Sequence, residues 1–143
     1  MDKTTSIDYT LNFVQNSLQQ FANNKSLTLG IWSGDEYVGT LGTYNTNWVD
    51  RKVALGYWIA SKYQGRGIMT DACRLLIDHV FDELKLNRLE IYCAPGNVKS
   101  CAIPKRLGFQ LEGVLRDAQC LAGKYLDSNL FAMLARDWKK APK

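Results

Sequence analysis

Histidine is all but missing from this 143-residue chain: His79 is the only one. A single imidazole removes most metal sites and any Ser-His or Cys-His relay, so no metal is expected. Cysteine is sparse, and Cys73, Cys93, Cys101 and Cys120 contain no C-x-x-C pair. Cys73 and Cys93 fall on apolar faces of predicted elements. They read as small core residues in a reducing cytoplasm, not as a disulfide frame or a zinc site. No apolar run approaches the length that crosses a membrane. The opening Met1-Asp2-Lys3-Thr4-Thr5-Ser6 lacks the basic start and apolar middle of a signal peptide. Repeats, linkers and low-complexity tracts are also absent. What is left is a hydrophobic content of 46% and a charged content of 22%, enough for one cytoplasmic domain with a real core. The net charge of +4 favours anionic ligands weakly. A phosphorylated cofactor or an acidic substrate would each fit it.

The most informative stretch is Gln64-Gly65-Arg66-Gly67-Ile68-Met69. It lies between a strand-like run, 53–60, and a long amphipathic run, 68–84. Glycine lets a backbone turn sharply and approach a ligand closely. A helix start offers unpaired N–H groups and the positive end of the macrodipole. Arg66 adds a fixed cation with several donors. The combination describes a pyrophosphate cradle. An ordinary glycine-rich turn between a strand and a helix has the same hexapeptide, and those residues alone leave both readings open.

The elements follow from periodicity. Thr5 and Asp8 mark a helix start, and Ile7, Leu11, Val14, Leu18 and Phe21 form one face of that helix. Residues 26–32 alternate as a strand, residues 37–44 return, and residues 52–60 form a third, with Val53, Leu55, Tyr57 and Ile59 on one side. These make an antiparallel meander. In the helix after the glycine turn, Ile68, Ala72, Leu76, Val80 and Leu84 line one face, Met69, Cys73, Ile77 and Phe81 widen it, and Asp71, Arg74, Asp78 and Asp82 form the wet side. Residues 88–94 form a strand parallel to the third, joined by a right-handed crossover. A ligand then belongs at the carboxyl ends of those two strands. Asn97 caps a helix toward Leu107 that Pro104 should shorten or kink, because proline cannot donate to the carbonyl of Ser100. Residues 109–121 and 125–135 close the chain as a hairpin, and the tail from Trp138 is expected to be loosely held. The four tryptophans are expected mostly to pack in the core.

The order of elements and the text of the turn resemble the GNAT family of N-acetyltransferases. Its cofactor motif, Q/R-x-x-G-x-G/A, is matched by Gln64-x-x-Gly67-x-Met69 except at the last place. Gly56-Tyr57-Trp58-Ile59, Asn87-Arg88-Leu89-Glu90, Asn97-x-x-Ser100, Leu107-Gly108-Phe109 and Glu112-Gly113-Val114-Leu115-Arg116 resemble the RimJ/RimL-type branch, over roughly residues 11–138. That branch acetylates the N-terminal α-amine of ribosomal proteins, and relatives acetylate small amines.

The resemblance implies an α/β (α+β) acyl-CoA N-acyltransferase fold with a mixed sheet and one splayed parallel strand pair. It implies acetyl-CoA, with its diphosphate on the N–H groups of Gln64, Gly65, Arg66, Gly67, Ile68 and Met69. The pantetheine arm would lie along Trp58 and Ile59, with Asn97 bonded to it and an oxyanion-stabilising N–H near Trp58 or Ile59. Ser100 matches the position proposed to protonate the leaving thiolate; a plain helix-start hydroxyl is the bland alternative. Gln119 stands where close members carry a glutamate base, and glutamine orients an amine but accepts no proton at neutral pH. Asp117 or Glu112 is an alternative base, although Glu112 fits a structural ion pair better.

Members of the fold usually begin with a further strand and helix, so residues 26–32 are expected at an exposed sheet edge that a homodimer could cover. The acceptor implied is an amine, foremost a protein N-terminus, with an amino acid, polyamine or drug as alternative. Gln119 and Met69 motivate a second class, an acyl-CoA-binding module without turnover. Nucleic acid is not expected, since the basic residues are spread.

Overall fold

Alternation of side chains along six runs builds one mixed sheet. The strands are β1 (Leu27–Ser33), β2 (Glu36–Asn47), β3 (Lys52–Ile59), β4 (Arg88–Cys93), β5 (Gln110–Leu121) and β6 (Lys124–Leu134). Among the described residues four α-helices accompany them: α1 (Ile7–Ala22), α2 (Ile68–Asp82), α3 (Val98–Arg106) and α4 (Ala135–Lys140). This computed structural model describes the backbone of residues 7–140 and the side chains of residues 11–139. The Thr5–Asp8 helix start therefore lies outside the described residues.

The strand order is β1-β2-β3-β4-β6-β5, so β1 is an edge. The expected meander is present, and only β3 and β4 run parallel. Period-two alternation puts Val53, Leu55, Tyr57 and Ile59 on the face that α2 covers. From α2, Met69, Cys73, Leu76, Ile77, Val80 and Phe81 are buried against that face. Each large side chain so buried contributes roughly 1.5–3 kcal/mol. Leu89, Ile91, Phe131 and Met133 complete the core.

Two expectations are overturned. The tail is held at its start: Trp138 is buried, and its Nε1 donates to Asp78 Oδ1 at 2.8 Å, so Asp78 is not simply on the wet side. Trp32, Trp48 and Trp58 are exposed, so core packing accounts for Trp138 alone among the four. Trp48 instead donates to the Asn24 carbonyl at 2.9 Å and ties the β2–β3 turn to the end of α1. Helix α3 is short, as expected, at 9 residues, yet it stays helical throughout residues 98–106 with Pro104 inside its last turn. The reason is a side chain from β3, described next.

Candidate active site

The β3–β4 pairing consists of Lys52↔Arg88, Val53↔Leu89 and Ala54↔Glu90 and goes no further. Beyond Ala54 and Glu90 the two strands diverge, and the gap opens toward their carboxyl ends. A cleft of about 590 Å³ occupies that end, bounded by the last residues of β3, the glycine turn and the start of α3.

The turn is built as its sequence predicts. Gly65 and Gly67 have φ of 76° and 77°, the left-handed region that L-residues adopt only at a cost. Gly67 is the N-cap of α2 and supplies no side-chain cap. The first N–H groups of a helix have no partner within it, so those of α2 remain available at its positive end. A Cβ built on Gly65 or Gly67 would meet nothing within 4 Å. The backbone at both positions therefore borders open space, as a ligand cradle requires. Met69 lines the cleft, but its side chain belongs to the core and is 4% exposed. The residue that departs from the motif thus keeps its bulk inside.

Two side chains lock the turn to its neighbours. Gln64 Nε2 donates to the Ile59 carbonyl at 3.2 Å, and its Oε1 accepts from Lys99 Nζ at 3.2 Å. Gln64 thereby bridges the end of β3 to the first turn of α3. The Tyr63 hydroxyl donates to Glu36, which also pairs with Lys62 at 2.7 Å. Glu36 is held below its ordinary pKa by the Lys62 hydrogen bond first and the Tyr63 bond second.

At α3, Asn97 Oδ1 accepts from the Ser100 N–H at 3.2 Å and caps the helix. Proline at 104 removes the N–H that would bond the Ser100 carbonyl. The Tyr57 hydroxyl replaces it, donating to that carbonyl at 2.7 Å. Ser100 Oγ lies 3.5 Å from the same hydroxyl. Burial pushes the Tyr57 hydroxyl far above the ordinary tyrosine range, so it stays protonated. Tyr57 is the residue that sequence reasoning counted only as a core-facing strand position. Its signal was present in Pro104, which demands a substitute donor.

The cleft gathers Trp58, Ile59, Gln64, Gly65, Gly67, Ile68, Met69, Asn97 and Ser100. Two residues singled out in the sequence are not in its lining. The Arg66 guanidinium stacks over the Tyr63 ring, 5.3 Å from its centre. Gln119 sits exposed in the β5–β6 hairpin opposite Leu126. Asp127 Oδ1 accepts from the Asp117 N–H at 3.0 Å and orders the irregular part of that hairpin. Glu112 makes the structural pair expected of it, a two-oxygen contact with Arg88 at 2.8 and 2.9 Å. The charged side chains that line the cleft are Lys99 and Arg106, both cationic. Unpaired amides, a helix start and two cations at an open rim suit a diphosphate.

Comparison with known proteins agrees with this geometry. The model of the acetyltransferase (GNAT) domain matches residues 1–110. YdaF of Bacillus subtilis (strain 168), an N-acetyltransferase relative, is 40% identical over 121 residues, which is 85% of this chain and 66% of YdaF. The chain spans 66%, 67% and 58% of the lengths of three curated relatives. Among solved structures, RimL, a ribosomal L7/L12 α-N-protein acetyltransferase in complex with coenzyme A, superposes with a TM-score of 0.87 at 28% identity, covering 91% of this chain and 73% of RimL. The microcin C7 self-immunity acetyltransferase MccE, in complex with acetyl-CoA and AMP, gives a TM-score of 0.87 at 32% identity, covering 91% and 72%.

Proposed function

The chain belongs to the GNAT acetyltransferase family, and we propose that its cleft transfers the acetyl group of acetyl-CoA to an amine, foremost the N-terminal α-amine of a ribosomal protein. The observation that carries this is the pair of left-handed glycines opening α2 at the mouth of the β3–β4 gap. Acetyl-CoA, when bound, supplies an activated thioester. The amides from Gly65 to Met69 and the positive end of α2 would hold its diphosphate. The edge of β3 at Trp58 and Ile59 would receive the extended arm, with Asn97 Nδ2 as a further donor. Ser100 Oγ, on α3 and 3.5 Å from the Tyr57 hydroxyl, would give a proton to the departing sulfur. The enzyme's part is mainly to align two reactants and exclude water.

Gln119 supplies no base. An α-amine with a pKa of about 7.8 is already partly neutral near pH 7.4, whereas a lysine at about 10.4 is not. The missing base therefore costs an α-amine acceptor little, which supports a protein N-terminus. The likeness to RimL supports the same acceptor, and the likeness to MccE supports a small-molecule amine as a second reading.

Calorimetry with coenzyme A, paired with an acetyl-transfer assay on free and N-blocked peptides, tests the proposal. The expected result is binding plus transfer to free N-termini only. Gly67→Ala should weaken coenzyme A binding about fivefold or more, the equivalent of roughly 1 kcal/mol of left-handed backbone strain. Binding without transfer to any amine would make the chain a binding module.

A further inference from the structure

Tyr57 does more in the cleft than replace a missing donor. It stands three residues past Ala54, the last β3 position paired with β4, so its backbone is held on one side only, by Leu41 of β2. Its side chain leaves β3 on the face that α2 covers and ends on the Ser100 carbonyl of α3, 2.7 Å away. The phenol is therefore a strut across the inner end of the cleft, where Ile59, Met69, Ser100 and Ile103 also line the wall. Both ends of the strut are fixed, one by the sheet and one by the hydrogen bond. The ring cannot swing aside without breaking a bond to a half-buried carbonyl that has no N–H donor from Pro104.

Behind the ring the packing includes small side chains. The thiols of Cys73, Cys93 and Cys101 lie close enough to act on the Tyr57 hydroxyl through their fields, and all three residues are buried. Cys101 is held in place, because its Sγ donates to the Ala94 carbonyl at 3.3 Å and accepts from Asn129 Nδ2 at 3.7 Å. A large side chain in front of small, fixed ones leaves a cavity when it is cut back, since the neighbours cannot collapse to fill it. On the open side, Ser100 Oγ lies 3.5 Å from the Tyr57 hydroxyl. A sulfur that takes a proton from that Oγ carries its acyl carbon one bond away and the acyl methyl two bonds away. Both then lie within reach of the phenol.

We infer that Tyr57 sets the length of the acyl group that the cleft accepts: its ring closes the inner end of the acyl pocket, admitting acetyl and turning away longer straight-chain acyl groups. This rests on the acetyl-transfer reading and names the residue that makes the transferred group a short one. An added methylene meets a wall that is already close-packed. Pushed against the phenol, it would have to break the bond from Tyr57 to the Ser100 carbonyl.

The test titrates coenzyme A, acetyl-CoA and butyryl-CoA calorimetrically into the whole chain, with no amine present. In the wild type, butyryl-CoA should bind at least about tenfold more weakly than acetyl-CoA, the discrimination that a fitted apolar pocket gives against added methylenes. Tyr57→Ala should abolish or reverse that preference, because each methylene entering the vacated space gains about fourfold in affinity. Coenzyme A carries no acyl group and should bind variant and wild type equally, which also shows that the variant is folded. Should Tyr57→Ala fail to fold, Tyr57→Leu keeps an apolar side chain in place and is read in the same way. Tyr57→Phe keeps the ring and should keep the preference; a loss there as large as in Tyr57→Ala would assign the effect to the position of α3 and overturn the wall. Equal affinity of the wild type for acetyl-CoA and butyryl-CoA, or an unchanged preference in a folded Tyr57→Ala, also overturns the inference. Failure of the wild type to bind coenzyme A would instead strike the acetyl-transfer reading.

Discussion

A single hydroxyl joins the fold to the chemistry. Tyr57 satisfies the carbonyl that Pro104 orphans, and the carbonyl belongs to Ser100. Tyr57→Phe leaves that half-buried carbonyl without a donor, and the cost should be about 1–3 kcal/mol in urea unfolding. Pro104→Ala returns an N–H to position 104. In that background the same Tyr57→Phe change should cost distinctly less, and a double-mutant cycle measures the difference. Equal costs in both backgrounds would mean that Tyr57 stabilises α3 by packing and not through the carbonyl. Because Ser100 moves with α3, kcat for acetyl transfer should fall with Tyr57→Phe while the KM for acetyl-CoA, set largely by the glycine turn, changes little.

At the level of elements, β4 is fastened on two sides, in parallel to β3 over three pairs and in antiparallel to β6 along its length. Arg88 adds a side-chain clamp from β4 to Glu112 on β5. The Arg88 hydrogen bond holds the Glu112 carboxyl below its ordinary 4.5, against the opposing effect of burial. A depressed carboxyl contributes stability that is complete above its unfolded value and disappears as pH falls through the folded one. Wild type and Glu112→Gln should therefore differ by about 1 kcal/mol or less near neutral pH, and converge only as pH falls through the lowered folded value of Glu112. Urea midpoints across that range check it.

Most elements were legible in the sequence because alternation and helical period are local properties. Residues 52–60 declared their core side through Val53, Leu55 and Tyr57, and the two glycines declared the turn. The Tyr57–Ser100 bond was not legible, because it joins positions far apart in the chain through an unsatisfied carbonyl. The burial of Trp138 was missed for the same reason: its partner, Asp78, comes from another helix. Gln119 was placed by resemblance, and the structure puts it on an exposed hairpin outside the cleft lining. Glu90 read as one polar position in an alternating strand; only the register with Ala54 shows that it sits where the strands part.

Across the whole molecule, stability is distributed unevenly. Helix α2 is embedded, with Cys73, Ile77 and Val80 showing no exposure. Helix α1 has an equally clear apolar stripe, yet Leu11, Val14, Leu18 and Phe21 are 46–64% exposed. Few buried contacts mean a low free energy of local opening. Amide hydrogen exchange should therefore be fast throughout α1 and slow in α2 and β4, and uniform protection of both helices would contradict the burial pattern.

The claim beneath everything else is that main-chain amides at the start of α2 grip a diphosphate. Titration of coenzyme A into the 15N-labelled chain reads those amides one by one. The account predicts the largest shifts at Gly65, Gly67, Ile68 and Met69, with smaller ones at Asn97 and Ser100, and a midpoint about fivefold higher or more in Gly67→Ala. Shifts confined to other surfaces, or none at saturating coenzyme A, would contradict it.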